Sequence, residues 1–171
     1  MSTITVVGSV MNWKIFFLVT LIWGALRNGV AAQDVTVVDF NGLKPLLHRN
    51  NDTTYIVNFW ATWCKPCVEE LPYFTEAEQK LSGGKYRFIM VSMDFRKTLD
   101  SRVRPFIKAN KMPGQAILLD DADANAWIPQ VDGDWDGAIP VTLIYKGHSR
   151  KFVNSNFENT SELLETIQSL N

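Results

Sequence analysis

Apolar residues along this chain follow two rhythms, short unbroken runs and a recurrence every three or four positions, and the two alternate. Tyr55 to Trp60 (YIVNFW) is β-branched and aromatic, with Asn58 its single polar member, which is the pattern of a strand buried on both faces. Tyr86 to Met93 (YRFIMVSM) reads the same way. Val35 to Phe40, Ala116 to Leu119 and Val141 to Tyr145 are three further strand candidates. Lys146-Gly147-His148 is a turn, which predicts Arg150 to Val153 as an antiparallel partner of the strand before it. Between Lys65 and Leu81 the rhythm is helical: Val68, Leu71, Phe74, Ala77 and Leu81 share a face. Pro72 should kink that helix, and Ser82-Gly83-Gly84 should end it. Shorter helices are predicted over 43–48, over 99–110 despite Pro105, and over 124–130. Asn159 with Glu162 three residues later resembles a capping box, opening a last helix whose apolar face is Leu163, Leu164, Ile167 and Leu170. Strands alternating with helices predict an α/β fold, its sheet partly parallel and closed by an antiparallel hairpin.

The first residues have a different character. Ile15 to Leu26 (IFFLVTLIWGAL) is an uncharged apolar run behind Lys14, followed by Gly29-Val30-Ala31-Ala32. A basic start, a short apolar middle and a small-residue end predict a signal peptide over 1–32, cleaved after Ala32. The run is short for a membrane span, which needs roughly twenty residues. An uncleaved anchor is the alternative, because Arg27 follows the run directly. The remainder, 33–171, shows no repeat or linker and reads as one domain.

Charge removes one class of partner. The whole chain carries a formal −1, and without Lys14 and Arg27 the remainder is near −3. A nucleic-acid binder needs a basic footprint, and none is present.

The chemistry concentrates in Trp63-Cys64-Lys65-Pro66-Cys67, between a buried strand and a helix. These are the two cysteines of the chain. A disulfide closing so short a loop removes little chain entropy, so an inert staple explains the pair poorly. Zinc would want two more ligands, and His48 and His148 lie far off in sequence. No metal or other cofactor is expected. The attacking species in disulfide exchange is a thiolate, and a helix N-terminus lowers a thiol pKa through its unpaired N–H groups and dipole. Cys64 stands where the helix begins and Cys67 one turn in. Pro66 falls in the first turn, where a missing N–H costs nothing. The expected chemistry is attack by Cys64 on a disulfide and resolution of the mixed disulfide by Cys67.

The run from Val57 to Cys67 (VNFWATWCKPC) resembles the thioredoxin superfamily, and within it the TlpA/ResA-like exported branch. Ile139-Pro140-Val141-Thr142-Leu143 resembles that superfamily's second signature, a cis-proline beside the thiols. The resemblance implies a thioredoxin fold with helices on both faces of a mixed sheet. It implies that Pro140 is cis and that Ile139 contacts substrate. It implies that Glu70, three residues after Cys67, takes the proton Cys67 must lose, since Asn58 stands where cytosolic thioredoxins carry the acid and cannot titrate. Trp63 is expected to shield the thiols and form part of the docking surface, and Glu69 to be solvated.

The implied activity is reduction of disulfides in exported proteins, periplasmic or outside the membrane. The superfamily branch includes enzymes acting on apocytochrome c. With two cysteines, electrons must come from another protein, expected to be a membrane relay. Rival readings are a disulfide oxidase on the same scaffold and a non-catalytic binding module. Peroxide chemistry is a weaker rival, because Ala61, not Thr, stands three before Cys64. Asp121 to Asn125 has the spacing of a calcium loop but lacks its glycine and its closing Glu. The loop from Asp132 to Gly137 leads into Pro140 and is expected to sit at the rim of the site.

Overall fold

The computed structural model describes residues 34–170. The segment read as a signal peptide, 1–32, lies outside them. Among the described residues, no helix is long and apolar enough to cross a membrane.

The described residues open with β1, Val35–Val38, shorter than the apolar run suggested. Asp39 ends it. Its carboxylate accepts the N–H of Gly42, so Phe40 opens a helical turn, α1 (Phe40–Leu43), which tightens into a 3₁₀ turn at Lys44–Leu46. Next come β2 (Thr54–Trp60), α2 (Lys65–Lys80) and β3 (Tyr86–Ser92). Helix α2 runs unbroken through Pro72, which removes one helical N–H without ending the helix.

The helix expected over 99–110 is divided. A wide π turn spans Leu99–Val103 and α3 spans Arg104–Asn110. Pro105 explains the division: it fits the first turn of a helix, where its absent N–H is not required. After it come β4 (Gln115–Leu119), α4 (Ala124–Val131), the hairpin β5 (Val141–Lys146) with β6 (Ser149–Val153), and α5 (Thr160–Gln168). Asn159 caps α5 by accepting the N–H of Glu162, while the Glu162 carboxylate reaches back to the N–H of Glu158.

The six strands lie in the order β1-β4-β3-β2-β5-β6. Neighbours from β1 to β2 are parallel, and β5 and β6 are antiparallel. Strand β2 sits inside the sheet and is buried along its whole length, as its unbroken apolar run requires.

Two apolar layers follow from the alternation of its side chains. Ile56 and Trp60 face a core with Leu71 and Phe74 of α2, Ile107 of α3, and Leu163 and Ile167 of α5. Tyr55, Val57 and Phe59 face the other core, with Phe40, Leu43, Trp127, Val131 and Trp135. Each fully buried large side chain contributes about 1.5–3 kcal/mol by leaving water.

The calcium-like spacing has a structural use. Asp121 accepts the backbone N–H groups of Phe40 and Asp123, and Asp123 caps α4 through the N–H of Ala126. Among the described residues, no three metal-ligating side chains gather into a cluster. The two histidines do have neighbours, which the sequence did not supply. His48 Nδ1 lies 3.5 Å from the Arg150 guanidinium, and His148 Nε2 lies 3.5 Å from Asn50 Nδ2.

Candidate functional site

Cys64 and Cys67 form a disulfide with their Cα atoms 5.3 Å apart. Strand β2 delivers the pair. It ends at Trp60 in the middle of the sheet, and Ala61-Thr62-Trp63 turns the chain into α2. Cys64 is itself the N-cap of α2: its backbone is extended, and its sulfur accepts the N–H of Cys67 at 3.3 Å. That is the donor a thiolate at Cys64 would use, at the positive end of the helix. The two cysteines differ in burial. Cys64 keeps 7% of its surface exposed, and Cys67 keeps none.

The turn carrying Trp63 is tied down from β3's end. Asp94, buried, accepts the N–H of Thr62 at 2.9 Å and its hydroxyl at 2.5 Å, and also the hydroxyl of Ser92 at 2.9 Å. Sequence reasoning missed Asp94. The signal for it was a lone acid closing the apolar run YRFIMVSM. The next residue, Phe95, is 70% exposed, and Trp63 is 57% exposed. They are the large apolar side chains that the described surface leaves in water. Trp63, the residue before Cys64, therefore presents more than half of its surface to solvent.

The Ile139–Pro140 peptide bond is cis, as expected. It brings the Ile139 carbonyl oxygen to 3.6 Å from Cys64 Sγ. Pro140 is buried and Ile139 half-buried. The loop before it is pinned by Trp135, a residue whose role the sequence did not reveal. Its ring packs on Phe59, Trp127 and Phe152, and its Nε1–H donates to the Ala138 carbonyl at 2.7 Å.

Glu70 lies one turn beyond Cys67 on the buried face of α2 and is 1% exposed. Its neighbour Glu69 is exposed and pairs with Lys65. The Glu70 carboxylate accepts the Asn58 side-chain N–H at 2.9 Å on one oxygen and the Phe157 backbone N–H at 2.9 Å on the other. Burial raises its pKa from the ordinary 4.5 to about 7, against the two hydrogen bonds, and the nearby charge of Glu162 adds to the rise. A carboxyl that titrates near neutrality can both accept and return a proton. Thr142 and Phe157 belong to this network, and neither was legible in the sequence. Phe157 arrives from the segment before α5, held by an edge-on contact with Phe74.

A family model places this arrangement. The AhpC/TSA family model matches residues 29–145, the stretch that carries both cysteines and Pro140. The chain belongs to the AhpC/TSA family. Among curated relatives, it is 31% identical over 101 residues to the thioredoxin-like protein YneN of Bacillus subtilis, covering 59% of this chain and 58% of that one. It is 34% identical over 80 residues to the thiol-disulfide oxidoreductase ResA of Bacillus thuringiensis, covering 47% and 44%. The matches thus span roughly half the length of these relatives.

Solved structures share the thioredoxin fold expected from the sequence. A DsbF homologue from Corynebacterium diphtheriae aligns with a TM-score of 0.57 at 21% identity, covering 70% of this chain and 73% of the other. A thioredoxin family thiol:disulfide interchange protein from Chlorobium tepidum aligns at 0.56 and 20% identity, covering 69% and 79%.

Proposed function

We propose that this AhpC/TSA family member is an exported thiol–disulfide oxidoreductase that reduces disulfides in extracytoplasmic proteins. The observation that carries the reading is the N-cap position of Cys64, whose sulfur accepts a helix N–H while its disulfide partner Cys67 is fully buried.

In the reduced protein, the Cys64 thiolate attacks one sulfur of a substrate disulfide. A Cys64–substrate bond forms, and the other substrate sulfur leaves as a thiolate that takes a proton from water. Cys67 then gives its proton to the Glu70 carboxylate and attacks Cys64 Sγ. The Cys64–Cys67 bond forms, and the second substrate thiolate leaves. The substrate gains two electrons and the protein is left oxidised. Glu70 returns its proton to solvent. The Ile139 carbonyl and the exposed Trp63 border the sulfur that is attacked, and they form the docking rim. A dithiol protein, read as a membrane electron relay, restores the reduced pair.

Residues 1–32 act as the export signal or, uncleaved, as an anchor, and 33–171 form the working domain. Apocytochrome c is a candidate substrate, because its cysteines must be reduced before haem attachment.

The test is the reduction potential of the pair in the full chain, by equilibration with glutathione or dithiothreitol. A value below about −220 mV, towards thioredoxin's roughly −270 mV, fits a reductase. A value near about −120 mV, that of a strong oxidant, would move the assignment to disulfide formation. No insulin reduction by the wild type, with target binding unchanged in Cys64→Ser, would reject both and leave a binding module.

A further inference from the structure

Asn58 stands directly opposite Thr142 in the antiparallel β2–β5 register, and its side chain is fully buried against α2. One Nδ2 hydrogen goes to Glu70 Oε1 at 2.9 Å, and the other goes to Thr142 Oγ1 at 3.1 Å. The amide oxygen, Oδ1, meets no donor. An unmatched buried carbonyl is costly and uncommon, so its presence here calls for a physical reason.

The wiring suits a charged Glu70. When Glu70 takes a proton, the oxygen that carries it changes from acceptor to donor. On Oε2 the new O–H would face the Phe157 N–H, a backbone donor that cannot turn round. On Oε1 it would face Asn58 Nδ2, which can. A half-turn of the amide exchanges Nδ2 and Oδ1 with little change of shape. Thr142 follows, because a hydroxyl accepts from an N–H in one state and donates to a C=O in the other. The half-turn moves the unmatched group from Oδ1 to Nδ2, so each orientation leaves one amide group without a partner. The charge on Glu70 then decides between them.

We propose that Asn58 is a positioning residue whose amide reverses when Glu70 is protonated, so that Oε1 carries the proton and Asn58 Oδ1 holds it. The proposal rests on the oxidoreductase reading for the source of that proton, the Cys67 thiol. One proton moves, from Cys67 Sγ to Glu70 Oε1, and the reversal itself transfers no electrons. The groups around Glu70 allow the assignment. From α2 the titratable neighbour is Cys67 when reduced. From α5 it is Glu162, whose charge opposes ionisation of Glu70. Strands β2 and β5 contribute Asn58 and Thr142, neither of which titrates.

Glu70→Gln holds the neutral state permanently. The Phe157 N–H claims the new carbonyl oxygen, which turns the new NH₂ group towards Asn58. The experiment is side-chain amide NMR on the oxidised full chain. In the wild type at about pH 9, the Asn58 Hδ2 protons should show NOEs to the Thr142 side chain. Those NOEs should fade towards about pH 5, with the midpoint of the Glu70 carboxyl carbon, and be absent at both pH values in Glu70→Gln. NOEs that persist through the pH series overturn the proposal, and that series needs no variant. In Asn58→Leu the Glu70 proton affinity should rise about tenfold, because the charge-assisted bond lost by the carboxylate is stronger than the neutral bond lost by the acid. An unchanged midpoint removes the positioning role. Insulin reduction by Glu70→Gln is read separately. Wild-type turnover there would remove Glu70 from the thiol step, whereas the amide reversal is decided by the NOEs.

Discussion

Replacing Glu70 with Gln should make the oxidised protein more stable, and only above the pH at which the carboxyl of the unfolded chain ionises. Glu70 is buried and holds its proton up to about pH 7, whereas an unfolded chain releases it near 4.5. Between those values the folded state binds a proton that the unfolded state has lost, so stability falls as pH rises. Below about pH 4.5 both states are protonated and the group costs nothing. Above about pH 7 the folded chain carries a desolvated charge, and the penalty reaches about 3 kcal/mol at 1.36 kcal/mol per pH unit. A neutral amide removes the penalty. It also perturbs the hydrogen bonds to Asn58 and Phe157, an offset that does not depend on pH. The informative quantity is therefore the change in the mutant-minus-wild-type difference between about pH 4.5 and pH 8. Urea unfolding of both oxidised proteins across that range measures it. A change of about 2–3 kcal/mol in favour of the variant is expected. A difference independent of pH would refute the assignment of a raised proton affinity to Glu70, and with it the role given to Glu70 in resolving the mixed disulfide.

Other consequences can be checked with single substitutions. Cys67→Ser should leave attack intact but block resolution, so that a stable mixed disulfide between Cys64 and a substrate chain accumulates on a non-reducing gel. In the reduced protein, Cys64 should be alkylated by iodoacetamide well below the ordinary thiol range near about pH 8.5, while buried Cys67 reacts far more slowly. Asp94→Ala leaves the Thr62 N–H and the Thr62 and Ser92 hydroxyls without their acceptor, and should cost about 2–4 kcal/mol in urea unfolding. Gly114→Ala should cost at least about 2 kcal/mol: its φ is +63°, and an added Cβ would lie 2.1 Å from the Phe88 carbonyl oxygen.

Much of this protein was written in its sequence. The unbroken apolar runs of β2 and β3 could only be buried strands, and the period of α2 could only be an amphipathic helix. Cys64 and Cys67 declared themselves by spacing and by their place between the two kinds of element. These are local signals, set by backbone geometry over a few residues. Element ends were less legible where a side chain competes with the backbone, as Asp39 does in cutting β1 short, or where Pro105 divides a helical stretch in two.

The sheet order and the Glu70 network were decided only in three dimensions. Nothing local says that β1 lies beside β4, since strand pairing depends on which apolar faces must be covered together. Glu70 was nameable from its offset to Cys67, but its proton affinity depends on partners far off in the chain. Asn58 is 12 positions away and Phe157 is 87. Thr142 is 84 positions from Asn58 and reaches it through the β5 register. A carboxyl's pKa is set by the water it loses and the donors it meets, and both are properties of packing. The sequence determined which residues could do the chemistry. The tertiary structure decided which groups surround them, and so how readily they hold or release a proton.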